Sequence, residues 1–356
     1  MGETARADII IGVDTHKDVH AAVAVDALGT RLGTVTVPVG ETGYRTLEAW
    51  ARSLGAVRAF GVEGTGSYGA GLSRFLRGQG HAVLEVNRPD RRLRHEKGKS
   101  DPLDAESAAR AVLSGQAAAL PKSGTGVVEM IRHLKVARDT AVKGRTQAML
   151  TLKAIIVSAP AALREQLDRI TGKMTLIRRL AALRPGPITS TAASAKASLR
   201  AIARRWLALD EEIRSHDAHL EVPTAARAPE LVQAHGMGAG TAAAMLLLVG
   251  DNPERIRSEA AFAKLCGACP IPASSGKTIR HRLNRGGSRR ANAALYRVVV
   301  TRMRGHRPTL DHVRRRTSEG KAKPEIIRCL KRFVAREIFG YLCATPKPEN
   351  TRPGAA

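Results

Sequence analysis

The sequence predicts a mixed α/β fold over residues 1–120 and a mainly helical structure over the rest of the chain. In residues 1–120, short apolar and β-branched runs alternate with segments of helical periodicity, a pattern typical of strands and helices in one layered domain. Beyond them, long Ala-, Leu- and Arg-rich stretches keep helical periodicity and contain few aromatic residues. A chain of 356 residues is long enough for two or three domains and at least one sizeable core.

The N-terminal elements are predicted in a definite order. Apolar runs separated by short turns predict three consecutive hairpin-linked strands at residues 8–14, 19–26 and 31–37. Alternating helices and strands follow at residues 41–54, 57–63, 67–78, 81–86 and 102–115. The last helix begins at Pro102, where proline is well tolerated. The order β-β-β-α-β-α-β-α is that of an RNase H-like fold, in which the first and fourth strands are neighbours.

Four acids stand where this fold would bring their side chains together. Asp14 ends the first strand, Glu63 ends the fourth, and Asp101 and Asp104 lie three positions apart at the start of the last helix. Residues three apart share a helical face, and like charges held that close favour a cation between them. The pattern predicts a metal-dependent, nuclease-like site.

Residues next to these acids have other interpretations. Asp101, directly before Pro102, is also a reasonable N-cap for the helix. His16 and Asp18 follow Asp14 but lie beyond the predicted strand end, so we interpret them as supporting or solvent-facing rather than as ligands.

The middle of the chain is predicted to form a helical hairpin or coiled-coil arm. Helical periodicity extends over residues 127–158, 161–183 and 194–220, and a Pro-Gly-Pro sequence at residues 185–187 separates the last two. Such an arm would serve as a spacer or as a dimer contact.

A compact second domain is predicted beyond Pro223 and Pro229. Gly236 and Gly238 precede an apolar helix, a pattern that fits a helix-hairpin-helix element whose turn amides hold a backbone phosphate. The glycines alone are also compatible with an ordinary tight turn.

A proline-bounded loop at residues 270–277 holds two adjacent serines, Ser274 and Ser275, before Gly276. A serine hydroxyl with basic groups close behind can attack phosphorus, while arginines stabilise the developing charge. Because no general base is evident nearby, spacing alone favours serines that only donate to phosphates. The basic residues predicted to contact phosphates are Lys277, Arg280, Arg282, Arg285, Arg289 and Arg290.

Charge indicates the class of partner. The formal net charge is +26, and residues 277–336 alone hold 19 Lys and Arg against three acids. Such an excess favours a polyanion, with nucleic acid the leading partner and an anionic membrane surface the alternative. The sequence has no apolar run of the roughly 20 residues that cross a bilayer and no signal-peptide pattern, so we expect an intracellular, soluble protein.

Together these motifs resemble the DEDD transposases of the insertion-sequence family numbered one-ten and the related Piv/MooV DNA invertases. The matching pieces occur in family order along nearly the whole chain, at residues 12–18, 63–66, 99–105, 236–238, 274–276 and 292–296. The resemblance implies a RuvC-like DEDD domain at residues 1–120, a helical arm at 121–225, a C-terminal transposase domain at 226–345 and a disordered tail at 346–356.

The resemblance also implies the chemistry and the partners. Asp14, Glu63, Asp101 and Asp104 would bind Mg²⁺, as a two-metal site that Mn²⁺ could also fill, and Ser275 would be the nucleophile, with Ser274 as substitute. A covalent phosphoserine intermediate on donor and target double-stranded DNA is implied, as are a non-coding bridge RNA that guides it and dimers or tetramers with composite sites. The expected location is the bacterial cytoplasm, at the nucleoid.

Three other functions remain open from the residues. A RuvC-like structure-specific endonuclease would need the four acids but not Ser275. A catalytically silent nucleic-acid-binding protein would use the acids only as helix caps. An actin-like ATPase also opens with a Gly-Val-Asp strand, but the later glycine-rich phosphate motifs are missing and the charge favours DNA.

Overall fold

The computed structural model describes residues 8–86, 100–276 and 281–343. These residues form two compact units. The first holds the described residues up to Gly126 together with Val249–Arg257, and the second holds the described residues of Val127–Leu248 and those from Ser258 onward. The predicted tail at 346–356 lies outside the described residues. The predicted division at residues 120 and 225 stays a prediction.

The first unit is built on a five-stranded sheet in the order β3-β2-β1-β4-β5. Its strands are β1 (Asp8–Thr15), β2 (Val19–Val25), β3 (Arg31–Pro38), β4 (Ala56–Glu63) and β5 (Val83–Val86). The first three pair antiparallel, whereas β4 pairs parallel with β1 and with β5. The predicted neighbourhood of the first and fourth strands is therefore confirmed.

Helices cover both faces of this sheet. They are α1 (Glu41–Leu54), α2 (Ala70–Gly78) and α3 (Asp101–Leu113). Because side chains alternate along a strand, Ile9, Ile11 and Val13 of β1 pack into the core with α1 and α2, whereas Ile10 packs against α3. The face of β1 that carries Ile10 thus looks toward α3.

Four helices open the second unit: α4 (Val127–Ser158), α5 (Ala161–Asp168), α6 (Lys173–Ala181) and α7 (Thr191–Arg227). The two long ones, α4 and α7, form an antiparallel pair. Arg138 pairs with Asp217, and Arg145, seven residues later, pairs with Asp210, seven residues earlier, which fixes α4 and α7 antiparallel. A coiled-coil or dimerisation role for this pair stays a prediction.

Two helix predictions in this region were wrong. Residues 161–183 do not form one helix, because the chain turns at Gly172, whose φ of 92° is costly for other residues, and α6 begins after it. The helix predicted to end at residue 220 continues through Pro223 to Arg227. There the Thr224 hydroxyl donates to the carbonyls of Leu220 and Glu221.

The remaining elements are short helices and one small hairpin. They are α8 (Pro229–Gln233), α9 (Ala239–Val249), a 3₁₀ turn (Pro253–Arg255), α10 (Glu259–Leu265), β6 (Ile271–Pro272), β7 (His281–Arg282), α11 (Arg289–Arg302), α12 (Arg307–Ser318) and α13 (Lys323–Cys343). The mixed α/β sheet followed by a mostly helical remainder is as predicted. Among the described residues, no helix is both long and apolar enough to cross a membrane.

Candidate active site

Two of the predicted acids lie at the ends of neighbouring parallel strands. Val13 of β1 pairs in register with Val62 of β4, so the next residues, Asp14 and Glu63, follow side by side at the same edge of the sheet. Alternation places Asp14 on the face of Ile10, toward α3. Asp14 is buried, with 6% of its surface exposed, and Glu63 is half-buried.

Helix α3 packs directly on these strands at two glycines. A Cβ atom on Gly12 would lie 2.0 Å from the carbonyl oxygen of Ala105, and one on Gly61 would lie 3.0 Å from that of Ala108. The helix backbone therefore rests on the sheet where a side chain would keep it away. This close approach positions the first turn of α3, which carries Asp101 and Asp104, near the strand ends.

The structure places two of the four acids against a histidine. The Nε2 atom of His16 lies 3.1 Å from Oδ2 of Asp14 and 3.3 Å from Oδ1 of Asp101. Potential ligand atoms of these three residues all lie within 4.8 Å of one another. Asp104 is buried and close enough to Asp14 to act on its pKa. Glu63 is the last residue of β4, at the same edge of the sheet as Asp14.

Sequence reasoning interpreted His16 as supporting or solvent-facing, and the structure adds its contacts with two carboxylates. Its backbone N–H donates to the carbonyl of Val19 at 3.1 Å, which closes a tight turn between β1 and β2. The turn folds the imidazole back over the strand end instead of leading it into solvent. Asp18, in the same turn, is exposed as expected. The signal in the sequence was the spacing of only four residues between the two predicted strands, which requires a tight turn.

The N-cap interpretation of Asp101 was wrong. Ser100 is the N-cap, with an extended backbone, and Asp101 is the first helical residue, with Pro102 next to it. Both Asp101 and Asp104 lie in the first turn, where the helix dipole favours negative charge. Asp101 and Asp104 are therefore residues of the helix itself, and neither stands at the N-cap position.

Electrostatics at this site favours a cation. Burial raises the pKa of Asp14 above its usual value, His16 opposes that shift, and Asp104 and Asp101 add to it. A bound divalent cation would offset this repulsion and the loss of hydration. Carboxylate oxygens suit Mg²⁺ or Mn²⁺, and an imidazole nitrogen is also a metal ligand. Asp14, His16 and Asp101 thus fit a divalent metal.

The two predicted serines lie in a small hairpin of the second unit. Ile271 pairs with Arg282 and Pro272 with His281, so β6 and β7 bracket the segment that carries Ser274 and Ser275. We call the described residues 271–276 and 281–282 the serine hairpin. Both serines are exposed, and Gly276 beside them has a φ of 55°. Lys277 and Arg280 lie outside the described residues.

The basic residues that follow are directed to solvent. Arg282, Arg285, Arg289 and Arg290 are all exposed, and within the described part of the chain no salt bridge to an acid involves them. Arg289 begins α11, whose N-cap is Ser288. These side chains are available to contact phosphates.

The predicted glycine turn connects two helices. Gly236, with a φ of 80°, lies between α8, which has five residues, and α9. The carbonyl of Gly238 accepts from the amides of Thr241 and Ala242. Buried Arg302 of α11 holds this turn by donating from Nε to the carbonyl of His235 at 2.8 Å. Whether Gly236 and Gly238 form a phosphate-holding helix-hairpin-helix element stays a prediction.

Comparison with known families matches two models to this chain. A model of the DEDD transposase domain of IS110, described as a transposase, matches residues 11–159. A second, described as "Transposase IS116/IS110/IS902 family", matches residues 228–314. No curated protein matches the chain. The first match contains all four predicted acids and the second contains the serine hairpin, and together they cover more than half of the chain. The chain therefore belongs to the IS110 family of transposases.

Proposed function

We propose that this DNA transposase cuts and rejoins strands with a metal held by acids on an RNase H-like domain and with a serine nucleophile. The observation that carries the proposal is the convergence of Asp14, Asp101 and Asp104 at the end of β1, with α3 seated on Gly12. A catalytically silent protein has no need to bury a carboxylate against two others at a cost to its ionised form.

The residues that would hold Mg²⁺ or Mn²⁺ are Asp14, Glu63, Asp101 and Asp104, and a two-metal arrangement is part of the proposal. Cations bound there would stabilise negative charge on oxygens around the scissile phosphorus. His16 would keep Asp14 and Asp101 in place, since its Nε2 contacts both carboxylates.

Ser275 is the proposed nucleophile, with Ser274 as its substitute. Its Oγ would form a bond to phosphorus as the bond from phosphorus to the 3′ oxygen breaks, which leaves a 5′-phosphoserine and a free 3′-hydroxyl. The serine proton passes to a base, and the leaving oxygen takes up a proton. Attack by that hydroxyl on a phosphoserine reverses the step and joins strands. The exposed position of both serines in the hairpin supports this role.

The other parts of the proposal concern guidance and assembly. The net charge of +26 supports simultaneous binding of DNA and a non-coding bridge RNA. The antiparallel α4–α7 pair is the proposed contact for dimers or tetramers. Arg282, Arg285, Arg289 and Arg290 would hold DNA phosphates close to the serine hairpin, and their exposure supports this.

The test is incubation of the protein with junction DNA and bridge RNA, followed by denaturing electrophoresis. We expect a covalent protein–DNA adduct that disappears in Ser275→Ala and persists in the matched neighbour Ser274→Ala. Strand cleavage that survives both substitutions would favour a structure-specific endonuclease that uses water. DNA binding without metal-dependent cleavage under any condition would leave only a binding protein.

A further inference from the structure

A cavity of about 670 Å³ opens beside the serine hairpin, within the second unit. Its walls are the loop at residues 267–270, the β7 strand with the residues after it, the end of α12 with the turn that follows, and α13. Six of the lining side chains are basic: Arg282, Arg316, Lys321, Arg328, Lys331 and Arg332. We call this cavity the basic pocket.

The acids nearby leave much of this charge unbalanced. Glu325, an acid in the lining, accepts from the amide of Ala322 at 3.0 Å and so caps its own helix. Arg332 donates to Glu259 at 2.8 Å, and Arg316 pairs with Glu319. In the described ranges of the chain, no salt bridge involves the remaining four: Arg282, Lys321, Arg328 and Lys331. An anion would therefore be attracted to the basic pocket.

Lys331 is built into the pocket wall rather than extended into solvent. It is 7% exposed, and its Nζ donates to Oδ1 of Asn292 at 2.9 Å. Asn292 is oriented by its own Nδ2, which donates to the carbonyls of Cys266 and Gly267 at 3.0 Å. Burial lowers the pKa of Lys331, and the nearby Arg328 lowers it further. A buried ammonium with a neutral acceptor and cationic neighbours is costly, and a phosphate would offset that cost.

An aromatic side chain completes the pocket. Phe333 lines it and is 49% exposed, although its ring is held edge-on by His312 with centroids 5.4 Å apart. Exposed aromatic rings beside cationic groups form stacking platforms for bases of single-stranded nucleic acid. The cavity volume lies in the range of small-molecule sites, roughly 300–1,000 Å³, so one nucleotide fits.

We propose that the basic pocket holds one unpaired nucleotide of the DNA strand next to the scissile phosphate, with its phosphate on Lys331 and Arg328 and its base on Phe333. DNA is the favoured occupant because His281 and Arg282 of β7 belong both to the pocket and to the serine hairpin. A strand that passes Ser275 would thus reach the pocket along the same hairpin. This inference rests on the proposed function, because the strand that enters the pocket is taken to be the one that Ser275 attacks.

Binding is tested in the full-length Ser275→Ala protein, which separates it from cleavage. The probe is a single-stranded DNA decamer with a 2-aminopurine, followed by fluorescence anisotropy and by quenching of the base. Phe333→Ala and Lys331→Met are each expected to weaken binding about 5-fold or more, and Phe333→Ala should also abolish the quenching. Arg328→Met, at an exposed position, provides the charge test if Lys331→Met does not fold.

The controls lie outside the pocket lining. Tyr296→Ala removes an aromatic ring that is also 49% exposed, and Arg314→Met removes an exposed charge on α12. Equal losses in these controls, or no loss in the pocket variants, would overturn the proposal. So would a dependence on Phe333 seen with an RNA decamer and not with DNA. If the proposed serine nucleophile is wrong, the unmodified protein forms no covalent adduct with DNA, while binding of the decamer still depends on Phe333.

Discussion

Because α3 packs with its backbone against Gly12 of β1, a single methyl group added at that glycine should displace the helix. In Gly12→Ala the new Cβ would lie 2.0 Å from the carbonyl oxygen of Ala105 and 2.3 Å from the backbone nitrogen of Ala109. Neither atom can rotate away, because both belong to the helix backbone. To restore an ordinary contact of 3.4 Å, the helix must move by about 1.4 Å.

This displacement acts on stability and on the site together. Overpacking of this kind costs about 1–3 kcal/mol. Asp101 lies one helical turn before Ala105, so the same movement carries it away from Asp14 and His16. Misplacement of a catalytic group by about 1 Å can lower a rate by about 100-fold. We therefore expect Gly12→Ala to lose both thermal stability and metal-dependent strand cleavage.

Two other glycines give a graded series. In Gly61→Ala the nearest backbone atom of the helix is the carbonyl oxygen of Ala108 at 3.0 Å, and the closer contact, at 2.6 Å, is with a side-chain methyl of Val112, so α3 needs to move less than in Gly12→Ala. At Gly78, the exposed end of α2, a Cβ meets nothing within 4 Å, and alanine should be neutral or stabilising by about 0.5–1 kcal/mol. Thermal unfolding by calorimetry and Mn²⁺ titration measure the two effects. If Gly12→Ala unfolds and binds Mn²⁺ like Gly78→Ala, close packing of α3 does not position the acids.

Three further substitutions test the electrostatics. Asp14→Asn should stabilise the metal-free protein at pH 7.5 by about 0.5–2 kcal/mol, because burial raises the pKa of this carboxyl and so makes its ionised form costly. Strand cleavage should be lost in the same variant. An unchanged or lower Tm would contradict the expected gain in stability. His16→Ala should weaken Mn²⁺ binding by about 10–100-fold in calorimetric titration, and unaltered affinity would mean that the imidazole supports neither carboxylate. Hydrogen bonds from Arg302 hold the pKa of Glu337 in the folded protein below its ordinary value of 4.5. The ion pair therefore stabilises the folded state fully at pH values above 4.5, and this stabilisation is lost as the pH falls through the pKa of the folded protein. Glu337→Gln should therefore cost about 1.5–3 kcal/mol at pH 7, with a difference in urea midpoint that shrinks in acid; a difference independent of pH would exclude the ion pair as its source.

Elements defined by local periodicity were predictable from the sequence. The helices Glu41–Leu54 and Val127–Ser158 have the predicted bounds, because each has an apolar stripe and a clear stop. The order of strands also followed, since hairpins and parallel crossovers allow few topologies. The break at Gly172 was missed because apolar periodicity continues on both sides of it, and only the backbone conformation interrupts the helix.

The positions of the four acids in the fold were predictable, because each occupies a strand end or a helix start and those positions are marked in the sequence. The contacts of His16 with two carboxylates were not, since they depend on a turn that reverses the chain within three residues. The role of two glycines could not be predicted either. Gly12 and Gly61 lie two residues before Asp14 and Glu63, but they matter because α3 packs closely against them, and no local sequence pattern shows that contact.

Lys331 shows why the basic pocket could not be found by counting charges. Its neighbours at helical spacing, Ala335 and Ile338, are both buried, so the lysine interrupts the apolar face of α13. In the sequence it is one of many basic residues between 277 and 336, most of which belong to solvated faces. A lysine on an apolar stripe is the informative exception, because burial of an ammonium costs free energy that a solvated lysine does not incur. Its retention inside the pocket wall is thus better explained by an anionic ligand than by stability, and Lys331→Met separates the two. If the lysine serves only the fold, the substitution changes Tm and leaves DNA affinity at the level of Arg314→Met.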